Sequence, residues 1–271
     1  MTQTMADTCR GARQAPGVPA KPTLRFDRVG LQYDSKPILD NISFAVERGE
    51  FISVLGPSGC GKTTMLNIAA GFLEPSSGVA LLNDRQIVGP GPERGVVFQS
   101  YALFDWMTVA ENIVFSLTCA GRPEAEKRET AKRMADLVGL SGSESAYPYQ
   151  LSGGMRQRCG LARVLAANPS VMLMDEPFAA VDVQTRETLQ EEILRIRDQT
   201  QCTILFITHS IDEAVFLSDR IFLMRKGRLG HFDEFKIDLP SPRESAENRL
   251  HPAFIAAREE IYRVMREDRH D

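Results

Sequence analysis

The sequence predicts an α/β fold built around a phosphate-binding loop, and three stretches carry the prediction. The apolar run FISVL at residues 51–55 leads into the glycine-rich segment GPSGCGKTT at 56–64, which is followed by the helical pattern MLNIAA at 65–70. Two other apolar runs, at 171–174 and 203–208, end in polar side chains. Uninterrupted apolar runs of this length are typical of buried strands. We therefore expect buried strands that carry polar groups at their tips.

The glycine-rich segment predicts a nucleoside triphosphate site. Its glycines let the backbone fold closely around an anion, so that N–H groups and the positive end of the next helix point at phosphate oxygens. Lys62 can reach the β- and γ-phosphates, and the Thr63 hydroxyl can bind Mg²⁺. A glycine-rich turn that matches by coincidence is disfavoured by the flanking strand and helix. The predicted nucleotide-binding residues are Gly56, Pro57, Ser58, Gly59, Cys60, Gly61, Lys62, Thr63 and Thr64.

Ahead of the loop, the chain begins with a predicted tail and two strands. Residues 1–22 are rich in Thr, Gly, Ala, Pro and Gln without a periodic apolar pattern, which predicts a mobile tail. Near-alternating apolar residues predict a half-exposed strand over 24–31, and a second strand follows over 38–46, with a turn at 47–50. Tyr33 follows the first strand. It either stacks on a nucleotide base or packs at the sheet edge.

After the loop, we expect a helix from Thr63 to Gly71, a turn at 75–78 and a short strand at 79–82. The apolar run at 96–98 ends at Gln99, whose amide would lie at the edge of a strand.

The next segment is an aromatic and apolar cluster at 101–107, interrupted by Asp105 and containing the only Trp of the chain. These side chains either belong to the core or line an exposed groove that accepts a partner helix.

Residues 109–140 show helical spacing, and the charged run at 124–129 predicts a solvated helix face. These helices look like an insertion into the nucleotide-binding core. The following segment LSGG places Ser152 and two glycines at the start of another helix. That arrangement is either a plain N-cap, which the sequence alone favours, or a second anion-binding site.

Carboxylates and a histidine end the two buried strands of the second half. Asp175 and Glu176 follow the run at 171–174, where burial is costly unless the acids handle a cation or a proton. In phosphoryl transfer the first can hold Mg²⁺ and the second can orient or deprotonate the attacking water. The alternative is a pair of structural carboxylates before Pro177. His209 is either a satisfied polar residue or a γ-phosphate contact.

The remaining chain is predicted to hold a helix at 211–217, a strand at 221–224 and a turn at Lys226-Gly227. Beyond about residue 233 the core pattern ends, and a proline-punctuated linker precedes an amphipathic helix.

The bulk composition excludes several classes of protein. With 271 residues, 43% of them hydrophobic, the chain can bury a substantial core, while a net charge of −4 argues against binding nucleic acid through a basic face. No stretch approaches the roughly 20 apolar residues of a membrane span, and the N-terminus lacks the apolar core of a secretory signal. Scattered cysteines without a C-x-x-C pair favour a reducing compartment. They are Cys9, Cys60, Cys119, Cys159 and Cys202.

Taken together, these segments resemble the ATP-binding subunit of an ABC transporter over roughly residues 23–235. The matching segments are GPSGCGKTT (56–64) for the Walker A loop, VVFQ (96–99) for the glutamine loop, LSGGMRQR (151–158) for the signature, VMLMDEP (171–177) for Walker B, AAVD (179–182) for the D-loop and ITHS (207–210) for the switch histidine. LSGG at that position is nearly diagnostic.

The resemblance implies the ABC ATPase fold: a P-loop NTPase core with a mixed sheet, an antiparallel β subdomain and an α-helical subdomain inserted at about 100–165. It divides the chain into a tail (1–22), the ATP-binding domain (23–235), and a C-terminal linker with an amphipathic helix (236–271). It also implies that two copies dimerise head to tail, so that the signature of one subunit closes over the γ-phosphate held by Lys62 of the other.

The resemblance also implies ATP and Mg²⁺ as ligands and a role for each motif residue. Glu176 would be the general base, His209 would bridge to the γ-phosphate, and Gln99 would sense Mg²⁺ and the attacking water. The other implied positions are Tyr33 at the adenine, Ser152, Gly153, Gly154, Gln157 and Asp182 at the nucleotide, and Thr63, Gln99 and Asp175 at the metal.

The implied partners are a second copy of the chain, membrane-spanning permease subunits bound through residues 99–107, and an extracytoplasmic solute-binding protein, with no nucleic acid. The implied location is the cytoplasmic face of the inner membrane, as a peripheral protein. The segments around 209–220 and 239–243 resemble importer cassettes for nitrate, sulfonate and taurine. Asp105, Val181 and Ser241 depart from the usual pattern. The alternatives are an importer of an unrelated solute, a soluble ABC ATPase without a transport role, and an exporter cassette or a regulatory nucleotide-binding module that does not turn over.

Overall fold

The computed structural model describes residues 22–34, 36–98, 100–179, 181–225 and 230–267. The strands are β1 (Leu24–Tyr33), β2 (Lys36–Val46), β3 (Phe51–Leu55), β4 (Ser77–Leu82), β5 (Arg85–Gln86), β6 (Arg94–Val97), β7 (Val171–Asp175), β8 (Thr203–Thr208), β9 (Arg220–Met224) and β10 (Phe232–Lys236). The helices are α1 (Lys62–Ala70), α2 (Val109–Ile113), α3 (Phe115–Cys119), α4 (Glu124–Leu137), α5 (Gly153–Ala166), α6 (Val183–Thr200), α7 (Ile211–Leu217) and α8 (Pro252–Glu267).

A six-stranded mixed sheet carries the polar strand tips. Its order is β10-β9-β3-β8-β7-β6, with β10 antiparallel to β9 and the other neighbours parallel. Leu55 at the end of β3 pairs with Thr208 at the end of β8, and Asp175 at the end of β7 pairs with Ile207. Because the carboxyl ends of parallel strands meet at one edge, the sheet brings the loop after β3 next to the tips of β7 and β8.

A four-stranded antiparallel sheet of order β2-β1-β4-β5 packs against the first sheet through aromatic rings. Phe26 of β1 stacks on Phe44 of β2 with ring centroids 4.7 Å apart, and Phe44 lies 5.2 Å from Phe222 of β9. Burial of such rings contributes about 1.5–3 kcal/mol each to folding. The two sheets therefore share one hydrophobic core.

Helices α2 to α5 form the helical segment between β6 and β7. Thr108 begins α2 with a capping box, in which its hydroxyl accepts from the Glu111 N–H and the Glu111 carboxylate accepts from the Thr108 N–H. Helix α5 packs against α2 and α4 and also against β6. The signature helix therefore connects the helical segment to the sheet.

The mixed sheet, the antiparallel sheet and the inserted helices confirm the predicted fold class. Three elements escape the sequence analysis: β5, the 18-residue α6, and β10, which lies where the apolar pattern weakens. The helical spacing at 109–140 corresponds to three helices, α2, α3 and α4. Residues 1–21 and the turn at Lys226-Gly227 lie outside the described residues. The division of the chain at residues 22 and 235 stays a prediction.

Candidate functional site

The glycine-rich loop leads directly from β3 into α1. Gly61 is the residue before α1 and has φ = 100°, in the left-handed region that favours glycine. A Cβ atom at Gly61 would lie 2.7 Å from Leu39 Cδ2, so a side chain here would strain the backbone and displace the Leu39 side chain. Within the described residues, no side chain caps the N-terminus of α1. Its first N–H groups therefore remain available to an anion.

Lys62 lies inside the loop, with 6% of its surface exposed. Its Nζ donates hydrogen bonds to the carbonyl oxygens of Gly56 at 2.7 Å and Pro57 at 2.9 Å. Because an ammonium group has three donors, this arrangement leaves capacity for a further acceptor such as a phosphate oxygen. Burial raises the pKa of the neighbouring Cys60 thiol, and the charge of Lys62 opposes this shift.

Thr63 and Asp175 face each other from α1 and the tip of β7. The Thr63 hydroxyl donates to Asp175 Oδ1 at 3.5 Å. Burial raises the pKa of the Asp175 carboxyl, the Thr63 hydrogen bond lowers it, and the charge of Glu176 raises it further. A carboxylate whose charged form is disfavoured in this way gains from a nearby cation. The pair consists of oxygen donors, which suit a divalent cation that also binds phosphate and water.

Glu176 turns its carboxylate toward the tip of β8. Its backbone is in the left-handed region, with φ = 44°, and its N–H donates to the carbonyl oxygen of Ile207 at 3.0 Å. The Glu176 Oε2 atom then lies 3.1 Å from Nδ1 of His209. Left-handed backbone at a non-glycine residue costs of order 1–3 kcal/mol and persists only where the surroundings enforce it. The strand tips thus bring Asp175, Glu176 and His209 together beside the loop.

The signature residues form a second group at the start of α5. Ser152 is the N-cap, and its hydroxyl accepts from the Met155 N–H at 3.3 Å. A Cβ atom at Gly154 would lie 2.8 Å from Thr185 Cγ2 in the first turn of α6. Asp182 is the N-cap of that helix, and its bonds from Thr185 lower the pKa of its carboxyl. Two helix N-termini therefore lie side by side.

Gln157, in the second turn of α5, carries an orphaned polar atom. The residue is 3% exposed, and its Oε1 has no hydrogen-bond partner among the described residues. Gly153 completes the group; a Cβ atom there would meet only Tyr101 Oη, at 3.8 Å, within the described chain. The contacts of the signature residues given above are thus with α5, α6 and Tyr101, and none of them is with the phosphate loop at 56–64.

Gln99 lies outside the described residues. Tyr33 ends β1 with 51% of its surface exposed, so its ring is accessible to a ligand, and its role stays a prediction.

The aromatic segment after Gln99 is both anchored and exposed. Asn112, which is buried, accepts from the Phe104 N–H at 2.9 Å and donates to the Phe104 carbonyl at 3.1 Å. Phe104 packs on Phe115 at 4.5 Å between ring centroids, whereas the Trp106 side chain is 73% exposed. The half-buried Leu103 packs against the hydrophobic core while Trp106 is exposed, so the segment is partly packed and partly at the surface.

Arg163 of α5 ties the same segment to the signature helix, a contact that the sequence analysis missed. Its guanidinium donates to the carbonyl oxygens of Ala102 at 2.6 Å and Tyr101 at 3.1 Å. Both acceptor residues have positive φ, 60° at Tyr101 and 47° at Ala102. No periodic sequence pattern signals this contact, because Arg163 and its acceptors are far apart in sequence and meet only in the folded chain.

No helix in the described part of the chain has the length and apolar character needed to cross a membrane.

Comparison with known proteins identifies the class that this fold and site define, a nucleotide-binding ATPase cassette. The ABC transporter family matches residues 39–179. The chain is 46% identical to the taurine import ATP-binding protein TauB of Roseobacter denitrificans over 237 residues, 86% of this chain and 88% of that protein. It is 43% identical to the nitrate import ATP-binding protein NrtD of a Synechocystis strain over 235 residues, 84% of this chain and 88% of that protein.

Among solved structures, the chain is similar to a dimeric ATP-binding cassette in a post-hydrolysis state bound to ADP and Pi, with a TM-score of 0.68 and 28% identity over 79% of this chain and 99% of that chain. The chain belongs to the ABC transporter family. It binds ATP, and its activity is the ATP hydrolysis general to that family.

Proposed function

We propose that this chain is the ATP-hydrolysing subunit of an import system for a small solute. The observation that carries the proposal is the separation of two groups: Lys62, Thr63, Asp175, Glu176 and His209 meet at one sheet edge, while the signature residues gather at the start of α5. We infer that neither group alone surrounds a triphosphate. A second copy is needed to bring them together.

Nucleotide binding is assigned to the loop and the residues around it. The N–H groups of residues 56–64 and the start of α1 hold the phosphates, with Lys62 at the β- and γ-phosphates and Tyr33 against the adenine. Thr63 and Asp175, with Gln99, would hold Mg²⁺, which supplies positive charge to the phosphate oxygens. The facing oxygens of Thr63 and Asp175, 3.5 Å apart, support this assignment.

Hydrolysis is assigned to the strand tips. Glu176 accepts the proton of the attacking water as general base, while His209 and Gln99 contact the γ-phosphate and the water. The 3.1 Å contact between Glu176 and His209 supports a shared task, since it fixes both side chains on the same side of the loop. The protein would accelerate hydrolysis by positioning the water and the γ-phosphate and by stabilising the charge of the transition state, because phosphoryl transfer to water needs no covalent intermediate with the protein.

Head-to-tail dimerisation completes each site. Ser152, Gly153, Gly154 and Gln157 of one copy, with Asp182 nearby, would close over the γ-phosphate held by the other copy. The adjacent N-termini of α5 and α6 support a role in anion or interface contacts. The dimeric state of the similar solved cassette agrees with this arrangement.

The membrane partner would bind residues 99–107. The exposed Trp106, on a backbone held by Asn112 and Arg163, offers a rigid aromatic anchor for a partner helix. The chain would then lie peripherally on the cytoplasmic face of the inner membrane. Relatives named for taurine and nitrate import point to a small oxyanion or related solute, delivered by a solute-binding protein. We infer no nucleic-acid partner, since the net charge is −4.

Reconstitution tests the proposal. The chain is co-purified with the permease encoded beside its gene and placed in vesicles that contain ATP, and uptake of taurine, sulfonates and nitrate is measured with the adjacent solute-binding protein outside. We expect uptake that requires ATP and that Glu176→Gln abolishes, while Glu129→Gln on the exposed face of α4 leaves it unchanged. A chain that binds no membrane subunit and hydrolyses ATP at a rate independent of solute would instead support a soluble ABC ATPase.

A further inference from the structure

The C-terminal segment is folded onto α7, the helix that directly follows His209. Asn248, which is 4% exposed, donates from Nδ2 to the carbonyl oxygens of Pro240, Pro242 and Arg243 at 3.0–3.1 Å. This bonding holds residues 240–248 in a compact turn. Arg243 within the turn contacts α7, and Arg249 directly after the turn contacts α6 and α7.

Arg243 binds the carboxyl end of α7. Its guanidinium donates to the carbonyl oxygens of Val215 at 3.1 Å, Phe216 at 3.2 Å and Ser218. These carbonyls have no partner inside the helix, so the arginine acts as its C-terminal cap. Burial lowers the pKa of Arg243 to about 10, and the charge of Asp219 opposes this shift.

Arg249 begins a chain of side-chain contacts that leads inward. Its guanidinium carbon lies 3.7 Å from the ring centroid of Phe216, and its Nη2 donates to Gln190 Oε1 at 2.7 Å. Gln190 of α6 is 2% exposed, and its Nε2 donates to Glu213 Oε1 at 3.4 Å. Arginine has only donors, so it fixes the amide oxygen of Gln190 outward and the amide N–H toward Glu213.

Glu213 carries the chain of contacts to the turn that holds His209. Its Oε2 accepts from the Thr208 hydroxyl at 2.5 Å, and the same hydroxyl accepts from the Ser210 N–H at 3.0 Å. The Thr208 hydroxyl, before His209, is thus bonded both to Glu213 and to Ser210, the residue after His209. Burial raises the pKa of the Glu213 carboxyl, while Thr208, Arg186 and His209 lower it.

We propose that Arg249 is a positioning residue for His209, acting through Gln190, Glu213 and Thr208. The inference rests on the proposed role of His209 in hydrolysis. Removal of Arg249 leaves the buried Oε1 of Gln190 without a donor and frees the amide to rotate away from Glu213. The Thr208 hydroxyl then loses its fixed acceptor, and the His209 turn gains freedom. None of these residues belongs to the phosphate loop, so ATP binding does not depend on them.

The test is the steady-state hydrolysis of ATP by the full-length chain and its variants. We expect Arg249→Ala to lower kcat about tenfold while KM for ATP stays within about twofold, because one hydrogen bond to a charged group is lost from a positioning chain. Arg249→Lys, which keeps the charge and one donor, restores part of kcat. Arg263→Ala removes an arginine from an exposed position of α8 and serves as the matched control with unchanged kcat.

Two further measurements separate positioning from loss of structure. Gln190→Met keeps the volume but removes both hydrogen bonds, and we expect it to lower kcat as Arg249→Ala does. In a His209→Ala background, Arg249→Ala lowers the residual kcat no further, since the residue to be positioned is absent. An unchanged kcat in folded Arg249→Ala, or an equal loss in both backgrounds, overturns the proposal. Thermal unfolding of each variant verifies that it is folded.

The proposal and the proposed function fail in different ways. If His209→Ala leaves kcat unchanged, the role of His209 in hydrolysis is wrong. If His209→Ala strongly lowers kcat but Arg249→Ala and Gln190→Met do not, the site assignment stands and only the positioning role is wrong.

Discussion

The imidazole Nδ1 of His209 lies 3.1 Å from the carboxylate Oε2 of Glu176. The contact joins the residues that follow two neighbouring strands, β7 and β8, and it depends on the left-handed backbone of Glu176, with φ = 44°. Because that backbone is costly for a non-glycine residue, the surrounding structure must hold it in place. The direction of the Glu176 side chain is therefore a feature that the fold maintains.

Replacement of Glu176 by glutamine tests its role as general base. Glu176→Gln keeps the size of the side chain but cannot accept a proton, so we expect hydrolysis to fall at least about 100-fold while ATP binding is retained. Without turnover, ATP should also hold the dimer together. Phosphate release and the elution volume with ATP measure the two effects, with Glu129→Gln on α4 as control. A rate close to that of the wild type removes Glu176 from the catalytic step.

Replacement of Lys62 by alanine tests the phosphate loop. The Nζ atom donates to two loop carbonyls and has a donor left for phosphate, so we expect Lys62→Ala to weaken ATP binding about 10- to 100-fold. Titration with a fluorescent ATP analogue measures the Kd, and Lys132→Ala on the exposed face of α4 is the control. Equal affinities for the two variants contradict the assignment of the loop.

The strand ends that carry the site residues could be predicted from the sequence. The apolar runs of β3, β7 and β8 are continuous because parallel strands are buried on both faces. The sequence therefore shows where each strand ends and which polar residues follow it. The sequence analysis does not predict helix α6, because its buried residues are few and most of its 18 residues are polar or charged, so the apolar periodicity is weak. Its N-cap, Asp182, therefore enters the prediction only through the family resemblance.

The contacts among side chains could not be predicted. The bond from Arg163 to the Tyr101 carbonyl and the link from Arg249 through Gln190 to Glu213 join residues far apart in sequence. They require the geometry of the folded chain, and neither has a periodic pattern. The segment between residue 235 and the amphipathic helix looks like a linker in sequence, yet it buries Ile237 and Leu239 in the hydrophobic core.

Replacement of Asp175 by asparagine tests the electrostatic balance of the metal site. Since burial raises the folded-state pKa of Asp175, the ionised form is disfavoured and reduces the free energy of unfolding at neutral pH. We expect Asp175→Asn without nucleotide to be more stable by on the order of 1 kcal/mol, and to lose Mg²⁺-dependent hydrolysis. The stability difference should shrink as the pH falls through the raised pKa, because the wild-type carboxyl becomes protonated.

Thermal unfolding at several pH values measures this difference, with Asp105→Asn, an exposed aspartate, as control. A lower stability of Asp175→Asn at neutral pH contradicts the sign of the expected effect.

Replacement of Trp106 by alanine tests the membrane docking surface. Trp106 is 73% exposed, so its removal should leave the unfolding temperature nearly unchanged, whereas the loss of an interface anchor costs about 2 kcal/mol or more of binding. We expect co-purification with the permease to be lost while ATP binding persists. Tyr262→Ala, which removes an exposed ring from α8, is the control. Retention of the permease by Trp106→Ala moves the docking surface elsewhere.

Hybrid dimers test whether each site is shared between two copies. Lys62→Ala disables the loop, and Gly153→Asp places a negative charge in the signature at a position where a Cβ has room, 3.8 Å from Tyr101 Oη. In a head-to-tail dimer of the two variants, one site combines both defects and the other combines an intact loop with an intact signature. Purified through two different tags, this hybrid should hydrolyse ATP at about half the wild-type rate. A hybrid of wild-type chain with the double variant has a defect in each site and should be inactive. If instead the second hybrid keeps half the activity and the first has none, each chain uses its own signature, and the head-to-tail arrangement is wrong.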